Sequence, residues 1–235
     1  MIAPTIRRFH ATAGVVTEGS RSVIVLNGRP LHTPDGALLA VPGHALAEAI
    51  AAEWQAQDGR IHPATMPLTC LANTAIDRIA AMRPQVVEAL LAFAATDLVC
   101  YYAVLPSALV ERQQATWQPL LDWVAWRYEA RLAVTEGLTP VPQPSAALAA
   151  LRLAIRGMDA FRLTALQGAA VPCGSLVVAL ALIEGEIDAE AAFAAAQLEA
   201  LFQAERWGSD AETVARHEAI RAELQVVMRF VGLCV

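Results

Sequence analysis

The sequence predicts an α+β protein, with a small β-containing N-terminal domain followed by a larger, all-helical C-terminal domain. β-Branched runs and glycine turns are concentrated in residues 1–40, and helical periodicity runs through nearly everything after them. Alanine accounts for much of a hydrophobic fraction of 56%, and alanine favours helix while adding little apolar surface. A chain of 235 residues buries a proper core without help from metal or disulfides.

The N-terminal domain, predicted over residues 1–65, begins as a small antiparallel meander. In the stretch SVIVLNGRPLHTP, a β-branched run precedes Asn27-Gly28. This dipeptide accepts positive φ at both central positions of a two-residue hairpin turn. Asp35-Gly36 supplies a second turn before the short run ALLAVP.

The pattern then becomes helical, with apolar residues recurring every three or four positions. The first helix places Leu46, Ile50 and Trp54 along one face. Further stripes of this kind predict the C-terminal domain, residues 66–235, whose helices are interrupted by a stiff proline-rich joint at Thr139–Ser145. The predicted buried face of the last helix consists of Ile220, Leu224, Val227 and Val231.

Composition excludes several kinds of partner. The net charge is −6 and the arginines are scattered, whereas phosphate binding requires clustered Lys and Arg, so no nucleic-acid partner is expected. The four cysteines contain no CxxC pair and the five histidines no HxxxH or HExxH spacing, so neither a metal site nor a redox motif is predicted.

Membrane insertion is not predicted either. The longest apolar run, Leu176–Ile183, is far shorter than the roughly 20 residues that a spanning helix needs. The N-terminal stretch MIAPTIRRFHATAG has no apolar signal segment, so a cytoplasmic location is expected.

The common motifs of enzymes are missing. The sequence has no GxxxxGK[ST] loop and no GxGxxG after a strand, and CGSLV around Ser175 lacks the glycines of a nucleophile elbow. We therefore expect no cofactor, no bound nucleotide and no small-molecule substrate.

Carboxylates are the remaining candidates for catalysis. Asp97 lies among apolar and aromatic residues, where burial would raise its pKa towards that of a general acid or base. Alternatively, Thr96 or Asp97 caps the helix that follows, which is the preferred interpretation. Asn73 and Asp77, one turn apart, are interpreted as helix-to-helix hydrogen-bonding residues.

The stretch LEALFQAERWGSD gathers polar groups and a tryptophan at the end of a predicted helix. Leu198, Leu201 and Phe202 lie on one side, while Glu199, Gln203 and Trp207 follow at four-residue steps on another. We call these last three residues the docking stripe, because an aromatic anchor beside polar groups is typical of a protein interface. An acid/base site at Glu199 and a plain solvated helix flank are the alternatives.

The sequence resembles an ATP synthase assembly chaperone family with members in mitochondria and some bacteria. The resemblance runs from about Arg7 almost to the C-terminus. It is carried by these motifs, in this order: MPLTCLANTAIDRI, TDLVCYYA, WQPLLDW, CGSLVVALAL and FQAERWGSD. The family usually has arginine where this chain has Tyr102, so a charge-dependent role at that position is not carried over.

The resemblance implies a non-enzymatic chaperone that binds the free alpha subunit of F-type ATP synthase and shields its beta-subunit-facing surface until assembly. The family's important acidic position aligns with Glu199. A mitochondrial matrix location would hold for a processed eukaryotic form. Two other functions stay open: a hydrolase-type enzyme using Asp97 or Glu199 as general acid/base, and a structural subunit of a larger complex.

Overall fold

The structure, a computed structural model, describes residues 7–19, 21–137 and 139–234. Residues 1–6, part of the segment considered as a signal peptide, lie outside the described residues. The described strands are β1 Ala13–Glu18, β2 Arg21–Leu26, β3 Arg29–Pro30, β4 Ala40–Val41, β5 Tyr101–Tyr102 and β6 Thr135–Glu136. The described α-helices are α1 His44–Gln55, α2 Pro67–Asn73, α3 Arg83–Ala95, α4 Ser107–Tyr128, α5 Ser145–Arg156, α6 Ala160–Cys173, α7 Leu176–Glu184, α8 Ala189–Ala196, α9 Leu198–Trp207 and α10 Ala211–Gly232. A small β region followed by a larger helical region confirms the predicted α+β class.

The N-terminal sheet is the predicted antiparallel meander. β2 pairs with β1, β3 and β4, all antiparallel. Asn27 and Gly28, between β2 and β3, have φ of 50° and 75°, so both central positions of the hairpin turn are left-handed as predicted. Helix α1 packs on this sheet through Leu46 and Ile50, both fully buried.

Two carboxylates tie the next helical segment to the N-terminal elements. Glu53 in α1 accepts hydrogen bonds from the backbone N–H groups of Leu68 and Thr69, each at 2.8 Å, which satisfies the first turn of α2. A π-helical turn, Thr74–Ile79, continues α2. In this turn Asp77 accepts a 2.6 Å bond from the Thr33 hydroxyl. Asp77 thus binds the segment after β3, and not another helix as the sequence suggested.

The chain divides into two compact units, and they differ from the predicted domains. The first unit comprises Met1–Arg83 with Arg229–Val235, and the second Pro84–Met228. The predicted boundary after residue 65 lies before the one at Arg83. The helical pattern of α2 placed it in the helical domain, whereas its contacts with α1 place it in the first unit. The C-terminal segment approaches Gly43 so closely that a Cβ there would lie 2.3 Å from the Leu233 carbonyl oxygen. Whether either division separates independently folding domains stays a prediction.

The second unit is built around α7, whose residues Leu176–Ile183 are all buried. Helices α4, α6 and α8 pack against it, so this apolar run is a core helix, as predicted. Trp117 of α4 is fully buried, and its indole N–H donates to the Ala195 carbonyl at 2.9 Å. Throughout the described ranges, no single helix combines the length and the apolar composition needed to cross a membrane; one bent pair, Pro67–Ile79 with Arg83–Cys100, passes by length and composition alone.

The last helix, α10, buries a somewhat different face from the predicted one. Leu224 and Val227 are buried as expected, whereas Ile220 and Val231 are only half-buried. His217 and Phe230 complete the buried face. The His217 ring packs edge-on against Phe193 at 5.4 Å, a contact that an apolar periodicity does not reveal.

Candidate docking site

The docking stripe lies on the solvent side of α9. Leu198 and Phe202 are buried and Leu201 is half-buried, while Glu199, Gln203 and Trp207 are exposed, Trp207 to 77%. The structure therefore separates the two sides of this helix as the sequence pattern predicted. An indole so open to solvent adds little to the core and offers a large apolar surface to a partner.

Glu199 is exposed but not unattached. The side-chain amide of Gln113, itself fully buried in α4, donates a 2.7 Å hydrogen bond to the Glu199 carboxylate. The oxygen of the same amide accepts a 2.7 Å bond from the backbone N–H of Ala103, which follows β5. The carboxylate is thus fixed in place through a buried residue that the sequence patterns did not single out.

Beside Glu199 lies a groove with a cavity volume of about 710 Å³, here called the Glu199 groove. Its lining residues are mostly apolar and include Leu98, Tyr101, Tyr102, Val104, Leu105 and Leu109. Val104 is 61% exposed and Leu105 78%. Sequence reasoning missed these two residues. The available signal was an adjacent apolar pair before Pro106, outside any helical stripe.

Helix α9 is held against α4 on its other flank. Arg112 donates two hydrogen bonds to the Glu205 carboxylate, at 2.7 and 2.9 Å. The Arg112 guanidinium lies 5.2 Å from the Phe202 ring centroid and that of Arg206 4.0 Å from it. The contacts of Arg112 fix the register of α9 against α4, but they add little stability, because exposed ion pairs contribute little.

Asp97, the other candidate carboxylate, is a structural cap. It is fully buried and accepts bonds from the backbone N–H groups of Val99 at 3.3 Å, Leu176 at 2.8 Å and Val177 at 3.0 Å. Burial raises the pKa of Asp97 to about 6. The hydrogen bonds from the Ser175 hydroxyl and from these backbone groups act in the opposite direction, but their effect on the pKa is smaller. The carboxylate thus serves the first turns of two helical segments, in line with the capping interpretation.

Two thiols lie close to this cap. Cys100 and Cys173 are buried. Burial, with a smaller contribution from Asp97, raises the pKa of each thiol to about 12. Such thiols stay protonated at neutral pH, so they behave as small apolar groups.

Tyr102, at the position where the resembled family usually has arginine, is a packing residue. It is 7% exposed, and its ring meets that of Trp117 edge-on at 5.7 Å. Its hydroxyl is buried and has no hydrogen-bond partner among the described residues. Within the described ranges, no three His, Cys, Asp or Glu side chains gather in a group that could hold a metal ion.

Comparisons with known proteins agree with the sequence motifs. A family model described as "ATP12 chaperone protein" matches residues 7–125. "Protein atp12, mitochondrial" of Schizosaccharomyces pombe is 26% identical over 219 residues, covering 88% of this chain and 75% of that protein. The crystal structure of Atp12 from Paracoccus denitrificans is 42% identical with a TM-score of 0.93, covering 98% of this chain and 99% of that one. The crystal structure of Atu1473 from Agrobacterium tumefaciens is 37% identical with a TM-score of 0.90, covering 98% and 87%.

Proposed function

Because the chain belongs to the ATP12 chaperone family, we propose that it binds the free alpha subunit of F-type ATP synthase and shields its beta-subunit-facing surface until assembly. The match confirms the resemblance to an ATP synthase assembly chaperone family. That the client is the alpha subunit goes beyond family membership, and the surface of the second unit supports this part of the proposal.

The observation that carries this proposal is an exposed apolar surface beside a fixed carboxylate. Leu105 and Val104 stand open to solvent in the Glu199 groove, and Trp207 is exposed on the same helix as Glu199. An unassembled subunit presents an apolar, self-associating interface, and covering it needs apolar area together with a few polar groups that set register. The docking stripe and the groove supply both.

We infer a non-enzymatic role. Asp97 is buried and both of its oxygens accept backbone hydrogen bonds, which leaves no access for a substrate. Glu199 is exposed, and among the described residues its hydrogen-bond partner is the Gln113 amide, not a histidine or a second carboxylate. An acid/base pair would require two such groups around one reacting atom. A cytoplasmic location is proposed for a bacterial chain, and the mitochondrial matrix for a processed eukaryotic form.

Two exposed tryptophans provide the test. Trp207 of the docking stripe is 77% exposed and Trp126 of α4 is 79% exposed. In capture of purified alpha subunit by the tagged chaperone, Trp207→Ala should weaken binding at least tenfold, since exposed aromatic anchors dominate interfaces of this kind. Trp126→Ala, a change of the same size at equal exposure, should bind like the wild type.

The same assay also tests the client. The wild-type chaperone should keep free alpha subunit from aggregating, as followed by light scattering, and should release it when beta subunit is added. Absence of capture by the wild type, or equal capture of beta subunit, would overturn the proposal. Capture by Trp207→Ala that equals that of the wild type would place binding outside the docking stripe.

A further inference from the structure

In the part of the chain that the structure describes, no strand lies beside the outer edge of β6 in the two-stranded sheet of the second unit. β5 and β6 pair in parallel, with Tyr101 opposite Thr135 and Tyr102 opposite Glu136. The N–H of Gly137 donates to the Tyr102 carbonyl at 2.8 Å, so Gly137 faces β5. Backbone groups alternate along a strand, and therefore those of Val134 and Glu136 point to the opposite edge. Among the described residues, this edge of β6 has no neighbouring strand.

Elsewhere around this sheet, glutamine side chains occupy the free backbone groups. Gln113 accepts the hydrogen bond of the Ala103 N–H, just beyond β5. Gln143 both accepts from the N–H of Ala133 at 2.8 Å and donates to its carbonyl at 2.9 Å, just before β6. The chain thus supplies its own partners at both of these positions. At the outer edge of β6, the described residues supply no neighbouring strand.

A second groove runs beside the open edge, with a cavity volume of about 440 Å³. Its walls are Val110, Gln114 and Gln118 of α4 on one side and residues 134–136 on the other. Tyr102 lines both this groove and the Glu199 groove, so the two are adjacent. Val134 is 50% exposed and Glu136 is exposed, so the edge is accessible along its length.

We propose that an extended segment of the client polypeptide adds as a third strand to the outer edge of β6, an inference that rests on the proposed function. Unpaired N–H and C=O groups at a sheet edge are matched in spacing by another extended backbone. Every second side chain of the added strand enters the groove along α4. There the amides of Gln114 and Gln118 favour a polar side chain.

Proline at position 136 tests the backbone pairing directly. The N–H of Glu136 points away from β5, so Glu136→Pro removes a donor to the client without breaking the β5–β6 ladder. The matched control is Glu136→Ala, which removes the carboxylate and keeps the N–H. We expect Glu136→Pro to weaken capture of the alpha subunit at least tenfold and Glu136→Ala to change it less than threefold. Thermal melting of the free variants should remain close to that of the wild type.

Hydrogen exchange of the wild-type full chain gives a readout independent of any variant's folding. The amides of Val134 and Glu136 should exchange at least tenfold more slowly in the alpha-subunit complex than in the free chaperone. If the complex forms but the exchange rates of these two amides do not change, the added strand is overturned while the proposed function stands. Protection in the free chaperone that grows with its concentration, with dimers in sedimentation, overturns it in favour of pairing between two copies. If the wild type captures no alpha subunit, the proposed function itself fails.

Discussion

The buried amide of Gln113 donates a 2.7 Å hydrogen bond to the exposed carboxylate of Glu199, 86 positions later in the chain. The oxygen of the same amide accepts a hydrogen bond from the Ala103 N–H, so both its nitrogen and its oxygen have fixed partners. Gln113 thereby joins three elements of the docking site: α4, the segment after β5, and α9. A buried polar residue whose amide nitrogen and oxygen both have partners in this way specifies one arrangement of the surface above it.

The first prediction concerns this amide. Gln113→Glu should destabilise the protein, because it replaces the buried donor by a carboxylate facing Glu199. Below the pKa of the new pair, one shared proton restores a hydrogen bond between them. Since that pKa is raised, the loss of stability should grow as pH rises from about 5 to 8. Thermal melts of wild type and variant across this range measure it.

Gln113→Leu separates the effect of charge from the loss of the hydrogen bonds. It leaves the Ala103 N–H without a partner, at a cost of about 1–3 kcal/mol, but introduces no carboxylate. Its difference in stability from the wild type should therefore hardly change over the same pH range. If the stability of Gln113→Glu shows the same pH dependence as that of Gln113→Leu, the proposed pairing of the new carboxylate with Glu199 is contradicted.

The second prediction is a pH dependence from Asp97. Its pKa is raised from 3.8 to about 6, so the folded protein binds this proton more tightly than the unfolded chain. The stabilising contribution of the protonated form is present below pH 4 and is lost as pH rises to about 6. A shift of this size corresponds to about 3 kcal/mol in the free energy of unfolding.

Other carboxylates titrate in the same interval, so the measurement is a difference. Urea unfolding of wild type and Asp97→Asn at pH 4 to 7 should show the wild type losing stability, relative to the variant, as pH rises. The absolute stability of Asp97→Asn does not affect the test, because only the change with pH of the difference in unfolding free energy is measured. A difference that stays constant over this interval would show that Asp97 does not titrate there.

The third prediction concerns the hydroxyl of Tyr102. This buried group has no hydrogen-bond partner among the described residues, whereas the ring packs on Trp117. Tyr102→Phe keeps the ring and removes an unsatisfied polar atom, so the free energy of unfolding should be unchanged or rise by about 1 kcal/mol. Tyr102→Ala, which removes the ring contact as well, should cost about 3–5 kcal/mol by comparison with other buried aromatic residues. Chemical denaturation measures both, and a clear loss for Tyr102→Phe would mean that the hydroxyl has a partner.

Local patterns predicted much of this structure. The Asn27-Gly28 hairpin, helix α1 and the apolar core helix α7 follow from turn chemistry and periodicity within a few neighbouring residues. The two sides of α9 were also predicted, because a helix spaces its side chains regularly. In each case the physical cause lies within one element, and the sequence contains it.

The features that were not predicted depend on residues far apart in the chain. Glu53 binds the start of α2, and this contact connects a helical segment to the N-terminal unit. The bond from Gln113 to Glu199 has the same character. Neither residue stands out by periodicity, since each is a polar side chain whose partner is supplied by the tertiary fold. The grooves beside β5 and β6 likewise arise only when α4 packs on this short sheet.

The last prediction returns to Glu199. From the helical pattern alone, Glu199→Lys should leave stability within about 0.5 kcal/mol, as for an ordinary surface substitution. The bond from Gln113 changes that expectation. Lysine removes the acceptor and leaves a buried amide donor facing a cation, so the free chaperone should lose about 1–3 kcal/mol of unfolding free energy.

Glu199→Gln separates docking from stability. Its side-chain oxygen still accepts the Gln113 bond, so this variant should melt like the wild type. It lacks the negative charge, and loss of a charged contact in an interface should weaken alpha-subunit capture about tenfold or more. Glu218→Lys, a charge reversal at an exposed glutamate of α10, serves as the control and should change neither property. If Glu199→Gln captures the alpha subunit as well as the wild type does, the carboxylate has a structural role only, and docking depends on Trp207 and the apolar groove.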